Sequence, residues 1–513
     1  MRARGGNLVK PTGIRAALLR SGMGCFLFAV GVTALGVLTL PFARACYGYA
    51  LLPAAISCGA ALLLFVLLAR AIGRMGEAQA RRAARVAVPV FLAALFAVHL
   101  ILGYLLEYTP SGDNFMLYNG SQMLARDGNF DAYPDFGLYL CRFSNQWGFL
   151  LMLTGFYRLL FALGIANTFF PLVLVQAALY TLGLSSALHM ARRLRGARAE
   201  LSLIALLLLC FPLYVAAAVL YTDTFSLPFV LLTLDFALRA CDARTARGQV
   251  LWAVSCGACA LIGSQIKMTV TIALIAAVIV WALTMRPLRA LVCGALCALV
   301  MFSGMPAVRH VMLTRVLDPD VHAQQYTPPI HWVMMSIPTS DNPYGGATGD
   351  YGITWGMMDE GATREEIMDS IYTRIRDRVY TLRYPNRLIA AALRKNAALF
   401  GDGTFGMTEM LDDGPVRENA VSSVVLEGRE YYGLYSAVAS GIWIAQMLLA
   451  AAGCLRDIRR RDLRAALPCI ALFGMMLFLM LWEARGRYIF SFVPVMLLLG
   501  ALAMAGKARG DAP

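Results

Sequence analysis

Charge is scarce in this chain. Asp, Glu, Lys and Arg make up 15% of its 513 residues, against about 25% in an ordinary soluble domain, which excludes a soluble globular protein. There is no zinc-ligand spacing and no basic strand interleaved with aromatics, so the net charge of +14 does not point to nucleic acid. No internal repeat of the inverted-transporter kind is visible. A disulfide framework is missing too. Most of the 12 cysteines, among them Cys58, Cys210, Cys256, Cys259, Cys293 and Cys297, sit inside apolar runs. The CxxC at Cys256 and Cys259 reads as two small residues on one face of a membrane helix, and no structural disulfide is expected.

What the chain does have is apolar length. Hydrophobic residues reach 59%, and runs long enough to span a bilayer recur. In lipid such a run must be a helix, because only its own backbone ladder satisfies its N–H and C=O groups. The expected fold is an all-α polytopic membrane protein with about twelve transmembrane helices. They fall near 17–41, 48–70, 86–106, 166–190, 201–220, 225–240, 249–266, 268–285, 288–306, 433–453, 466–482 and 487–505. Arginines cluster between runs, at Arg81-Arg82, Arg192-Arg193-Leu194-Arg195, Arg286 with Arg289, and Arg459-Arg460-Arg461. That is the positive-inside pattern of a plasma-membrane protein with both termini in the cytoplasm. The basic start (Arg2, Arg4, Lys10, Arg15) leads into a run ending near Phe42. Ala43-Arg44-Ala45 loosely resembles a signal-peptidase site, but the run is too long for a signal h-region and reads as the first transmembrane helix.

Gln146–Leu163 is apolar enough to span. If it did, the arginines at 192–198, 239–247 and 286–289 would all move outside. It therefore reads as a helix in the outer interface, where Trp147, Tyr157 and Arg158 suit it. The organisation expected is an N-terminal helix pair (1–85), a transmembrane core (86–306) with a first outer loop at 107–165, a larger mixed outer region at 307–432, and C-terminal transmembrane helices (433–513). In the large region, Thr363 and Glu366 fit a capping box, and Pro338 to Gly352 reads as ordered loop.

The remaining charges collect at the outer ends of helices. Asp113 lies in the first outer loop and Asp223 in Tyr221-Thr-Asp-Thr. Lys267 follows Gly263-Ser-Gln-Ile, and Glu483, Arg485 and Arg487 lie in Trp482-Glu-Ala-Arg-Gly-Arg-Tyr. Charge kept at a membrane is usually functional. Each residue also has a plain role. Asp113 fits a turn, Asp223 an N-cap, Glu483 with Arg487 an i,i+4 ion pair, and Lys267 a snorkelling side chain. Asp235 and Arg239 read as a structural pair, and His99 and His189 as packed, hydrogen-bonded residues.

Several stretches in this order carry a family resemblance. They are the Asp113 loop, Gly128-Asn-Phe-Asp-Ala-Tyr133, Ser144-Asn145-Gln146-Trp147-Gly148, Ala191-Arg-Arg-Leu-Arg-Gly196 and the Thr-Asp-Thr around Asp223. His331-Trp-Val-Met-Met-Ser336, Gly401-Asp-Gly-Thr-Phe405 and Trp482–Tyr488 extend it. From about 86 to 505 the chain resembles the GT-C superfamily of polyprenyl-phosphate-sugar-dependent glycosyltransferases. The likeness is to family-39-like enzymes related to protein O-mannosyltransferases and aminoarabinose transferases. The resemblance implies inverting transfer of a sugar from a polyprenyl (undecaprenyl) phosphate to a cell-envelope hydroxyl on a glycan, glycolipid or protein. It makes Asp113 the catalytic base and Asp223 the second acid.

A departing phosphate needs cations, and the reaction needs one base. Arg485, Arg487, Lys267 and Arg142 are therefore expected at the phosphate. Asn114, Tyr133, Asn145, His331 and Glu483 are expected at the substrate. The family often pairs two acids in the first loop. Here Asn114 follows Asp113, so no metal and no other cofactor is expected. The competing reading is a lipid-linked glycan flippase or transporter, which would place ionisable residues or broken helices near the midplane.

Overall fold

The computed structural model describes residues 13–39, 50–340, 342, 344–346, 349–411 and 415–506. Arg2, Arg4 and Lys10 and the Ala43-Arg44-Ala45 stretch lie outside them. The Pro338–Gly352 stretch is only partly described, and from Gly349 onward it is helical. Among the described residues the regular elements are all helices, with one isolated bridge pairing Tyr108 and Pro415.

The protein is an all-α polytopic membrane protein. Nine described helices are long and apolar enough to cross a membrane. A tenth candidate, Ala197–Leu208 with Pro212–Ala218, is bent by 72° at its break. The expected straight run over 201–220 is therefore broken. Pro212 has no N–H for the ladder and disfavours helix at the residue before it. Two further apolar helices, Val270–Thr284 and Ala466–Met480, are shorter than a usual span. These twelve units coincide with the twelve apolar runs of the sequence.

Burial separates central from peripheral helices. Thr222–Asp242 and Gly486–Met504 are each 83% buried over their apolar window, whereas Leu51–Arg74 and Pro287–Arg315 are each 17% buried. A helix apolar all round belongs either in a core or against lipid, and both cases occur here. The core crossing of Phe169–Arg195 with Thr222–Asp242 is close. A Cβ on Gly183 would lie 2.6 Å from the Pro228 Cα, so only glycine lets these backbones meet.

The bundle has two poles, and Thr222–Asp242 joins them. Asp223 lies in its first turn and Asp242 at its last residue, which puts them about 30 Å apart along the axis. At the Asp242 pole the arginine clusters converge. Arg193 pairs with Asp242, and Arg195 pairs with Asp457 and with Asp462 at 3.0 Å. Arg456 donates to the Leu502 and Ala503 carbonyls. At the Asp223 pole lie Asp113, Lys267 and Glu483.

The Trp147–Ala162 helix starts and ends at the Asp223 pole. Just before it, Gln146 donates to the Tyr221 hydroxyl at 3.1 Å. Just after it, Thr168 is 2.7 Å from the Tyr118 hydroxyl, and Phe169 packs its ring on Tyr108. Phe169–Arg195 then carries the chain to the other pole. The 147–162 helix lies along one end of the bundle and does not cross it.

The 307–432 region also sits at the Asp223 pole. It has a small core of Met334, Met358, Ile367 and Ile371. The capping box forms as the sequence predicts, with Thr363 N donating to Glu366 and Glu366 N to Thr363 Oγ1. The Pro385–Phe400 helix returns to the bundle, where Asn396 contacts Thr33 at 2.9 Å. Gly401-Asp-Gly-Thr-Phe405 then makes a tight turn. Buried Asp402 accepts from Thr404 N and Gly406 N. A Cβ on Gly403 would meet the Ala439 carbonyl oxygen. That motif docks the chain against Tyr432–Arg459, with Gly403 N donating to Ser440 Oγ at 2.9 Å. The eleven described cysteines are free.

Candidate functional site

A cavity of about 940 Å³ opens at the Asp223 pole. Its lining comes from chain segments remote in sequence: Asp113, Tyr139, Ser144, Asn145, Tyr221, Lys267, Trp332, Tyr351, Trp355, Trp482, Glu483, Arg485, Arg487 and Tyr488 among others.

Asp113 stands in the first turn of Gly112–Arg126. Its two oxygens are held by two phenols. Tyr139 Oη donates to Oδ1 at 3.0 Å and Tyr221 Oη to Oδ2 at 3.3 Å. No ion pair to Asp113 occurs among the described residues. The two phenols orient the carboxylate, and further lone pairs remain for a proton.

Asp223 sits behind the lining and is 1% exposed. It is not the N-cap of its helix. Tyr221 takes that place, its backbone N–H donating to Thr224 Oγ1 at 3.4 Å. The Asp223 carboxylate is thereby left to serve two cations: it binds Lys267 and lies 3.5 Å from Arg487 Nε. Lys267 follows the last residue of Ala246–Ile266, and its ammonium lies 4.3 Å from the Tyr488 ring centroid. It is paired inside the cavity, so it does not snorkel. Two cations, Lys267 and Arg487, thus converge on one carboxylate at the cavity wall.

Glu483 does not pair with Arg487. It accepts from Arg485 Nε at 3.2 Å and from the Tyr488 hydroxyl at 2.9 Å. The i,i+4 expectation assumes a helix. Helix Ala466–Met480 has ended, and residues 483–485 are irregular.

Four expected residues lie away from the lining. Arg142 is bound to Gln325 and Asp359 and lies 4.9 Å from the Trp355 ring centroid. It ties the first loop to the 307–432 region instead of facing the cavity. Asn114 turns inward to the Tyr108 hydroxyl. Tyr133 is an exposed N-cap. His331 is fully buried, with Nδ1 3.1 Å from Thr354 Oγ1, and burial pushes its pKa down to about 4. It supports its neighbour Trp332, which does line the cavity.

Sequence reasoning missed Tyr139, Tyr221, Tyr488 and the stacked pair Trp332–Trp482, whose centroids are 5.7 Å apart. Tyr221 and Tyr488 were within reach, since each adjoins a charge already singled out. Tyr139 carries no sequence signal.

The histidines in apolar runs are packed and hydrogen-bonded away from the cavity. His189 Nδ1 lies 2.7 Å from Asp235, which also pairs with Arg239. His99 bonds the Leu213 carbonyl oxygen at 2.9 Å. Among the described residues, no three His, Cys, Asp or Glu side chains cluster in a way that could hold a metal ion.

Comparison with known proteins adds a family. No curated protein matches. Among solved structures, the crystal structure of ArnT from Cupriavidus metallidurans bound to undecaprenyl phosphate matches over 81% of this chain and 77% of that chain, at 18% identity and a TM-score of 0.33. Residues 165–507 match the family model described as "Conserved hypothetical integral membrane protein". The chain belongs to that family of integral membrane proteins.

Proposed function

We propose that this protein is a GT-C-type glycosyltransferase of the bacterial plasma membrane. It moves a sugar from a polyprenyl (undecaprenyl) phosphate to an acceptor hydroxyl, with inversion, at the extracytoplasmic pole. One observation carries the reading. Asp113, which has no ion pair among the described residues, faces the same cavity as Lys267 and Arg487, two cations that converge on the Asp223 carboxylate.

The chemistry follows from that division. Asp113 takes the proton of the acceptor hydroxyl as its oxygen attacks the anomeric carbon. The bond from that carbon to the phosphate oxygen breaks, and the electron pair leaves with the phosphate. Lys267 and Arg487 stabilise the charge that develops there. The phosphate leaves without prior protonation, so no second carboxylic acid is needed, unlike in a glycosidase. The proton then passes from Asp113 to water. Asp223 orients the two cations, and Tyr139 and Tyr221 orient the base. Arg485, held by Glu483, is a third cation at the rim of the phosphate site.

The test is transfer of labelled sugar in proteoliposomes supplied with undecaprenyl-phosphate sugars and a cell-envelope extract. Wild type should label the extract, and Asp113→Asn should not. Transfer surviving in Asp113→Asn would move the base elsewhere. Failure of wild type with every donor would favour a flippase.

A further inference from the structure

The cavity has two halves that differ in origin and chemistry. One half is charged, carrying Asp113 and Glu483 with Lys267, Arg485 and Arg487, and is built from the ends of bundle helices. The other is aromatic and is built by Phe143 together with Trp332, Tyr351 and Trp355 of the 307–432 region. Phe143 meets Trp355 at 5.5 Å and Trp332 at 6.3 Å between centroids, and Tyr351 meets Trp355 at 4.7 Å. Both indole N–H groups are already used inside this wall. Trp332 donates to the Tyr351 hydroxyl at 3.1 Å and Trp355 to Thr327 at 3.2 Å. Arg142 covers one face of Trp355 and Trp482 stacks on one face of Trp332. With both N–H groups engaged, the half-buried wall turns aromatic carbon, not donors, toward the cavity.

Polar groups stand beside that wall. Ser144 and Asn145 follow Phe143 and line the same cavity, and Asn145 is exposed. Neither side chain makes a hydrogen bond among the described residues. An unused amide and hydroxyl beside aromatic faces suit a ligand with both a flat C–H face and hydroxyls around its edge. A sugar ring has that shape. An isoprenoid tail would use the faces and leave the amide unmatched. The wall also touches the base, since the Phe143 and Tyr139 rings are 4.7 Å apart and Tyr139 holds Asp113.

We propose that the aromatic half is the acceptor subsite, that it binds a sugar ring, and that the acceptor is therefore a glycan. This rests on the transferase reading above.

The experiment uses the full chain in nanodiscs and reads binding, not turnover. Cellotetraose, maltotetraose and mannotetraose are titrated by calorimetry and tryptophan fluorescence. Undecaprenyl phosphate is titrated on the same samples. At least one oligosaccharide should bind saturably. Asn145→Ala and Trp355→Ala should each weaken it at least about tenfold while undecaprenyl phosphate binding is kept. Asn145 is exposed, so its variant keeps the test open if Trp355→Ala does not fold. Lipid phosphate binding with no oligosaccharide binding overturns the glycan subsite and leaves the donor reading standing. Loss of both overturns both. A Ser/Thr-rich peptide is titrated alongside, and its saturable binding where no oligosaccharide binds also overturns the glycan subsite.

Discussion

Tyr221 donates its hydroxyl to Asp113 Oδ2 at 3.3 Å, and its ring centroid lies 5.6 Å from the Arg487 guanidinium carbon. One side chain thus separates the carboxylate from the cation. Without it the two could close into an ion pair, which would occupy the base. Under the proposed reaction, Tyr221→Phe and Tyr139→Phe each remove one hydrogen bond to a charged group. Such a bond is worth about 1.5–3 kcal/mol, so each variant should lose roughly tenfold to a hundredfold in kcat. The double variant should fall short of the product of the two, because both act through Asp113. Steady-state transfer assays on the three variants check this. Independent, multiplicative losses would mean that the phenols act on substrate directly.

Arg142 gives a contrasting prediction. It bridges Gln325, Asp359 and Trp355. Arg142→Gln should leave donor affinity unchanged and loosen the 307–432 region. Limited proteolysis should cut that region faster in the variant, with undecaprenyl phosphate binding as in wild type. A selective loss of donor binding would return Arg142 to the phosphate site.

Most of the fold was legible because lipid imposes a strong rule on backbone polar groups. The apolar runs of the sequence coincide with the described helices, and the arginine clusters gather at one pole. The parity argument also placed 146–163 at one end of the bundle. Asp113, Lys267, Arg485 and Arg487 were legible because unbalanced charge at a membrane is rare. What stayed hidden depends on three-dimensional partners. Arg142 and Arg487 look alike in sequence, but only the fold shows Asp359 consuming the first. Glu483 has arginines at i+2 and i+4. The choice of Arg485 followed from a helix ending at Met480, a boundary that hydropathy cannot place. Tyr139 is one aromatic among many.

His331 supplies a pH prediction. The usual histidine value is 6.5, and burial lowers it to about 4 in the folded protein. Between those values the unfolded chain binds a proton that the folded protein does not. Stability is therefore full above pH 6.5 and falls as pH drops toward 4, by roughly 2–3 kcal/mol from this residue alone. His331→Asn keeps a polar partner for Thr354 without titrating. Thermal unfolding from pH 7 down to 4.5 should show a smaller drop in Tm for the variant than for wild type. Parallel curves would mean that His331 titrates normally in the fold.

Asp223 gives the sharpest separation between structure and ligand binding. Its carboxylate is shared by Lys267 and Arg487, and all three side chains are at most 15% exposed. Removing one member of a buried charge cluster costs roughly 3–5 kcal/mol, because the partners lose their compensation. Asp223→Asn should therefore unfold at markedly lower temperature than wild type. The two cations remain in the cavity wall, and a phosphate can take over the missing negative charge. Added inorganic pyrophosphate should thus raise the Tm of Asp223→Asn more than that of wild type. It should do nothing for an Asp223→Asn, Lys267→Met, Arg487→Met triple variant. A thermal-shift series over these proteins reads both effects. If Asp223→Asn is destabilised but pyrophosphate does not rescue it, the cluster is a structural ion network and the leaving phosphate must be bound elsewhere.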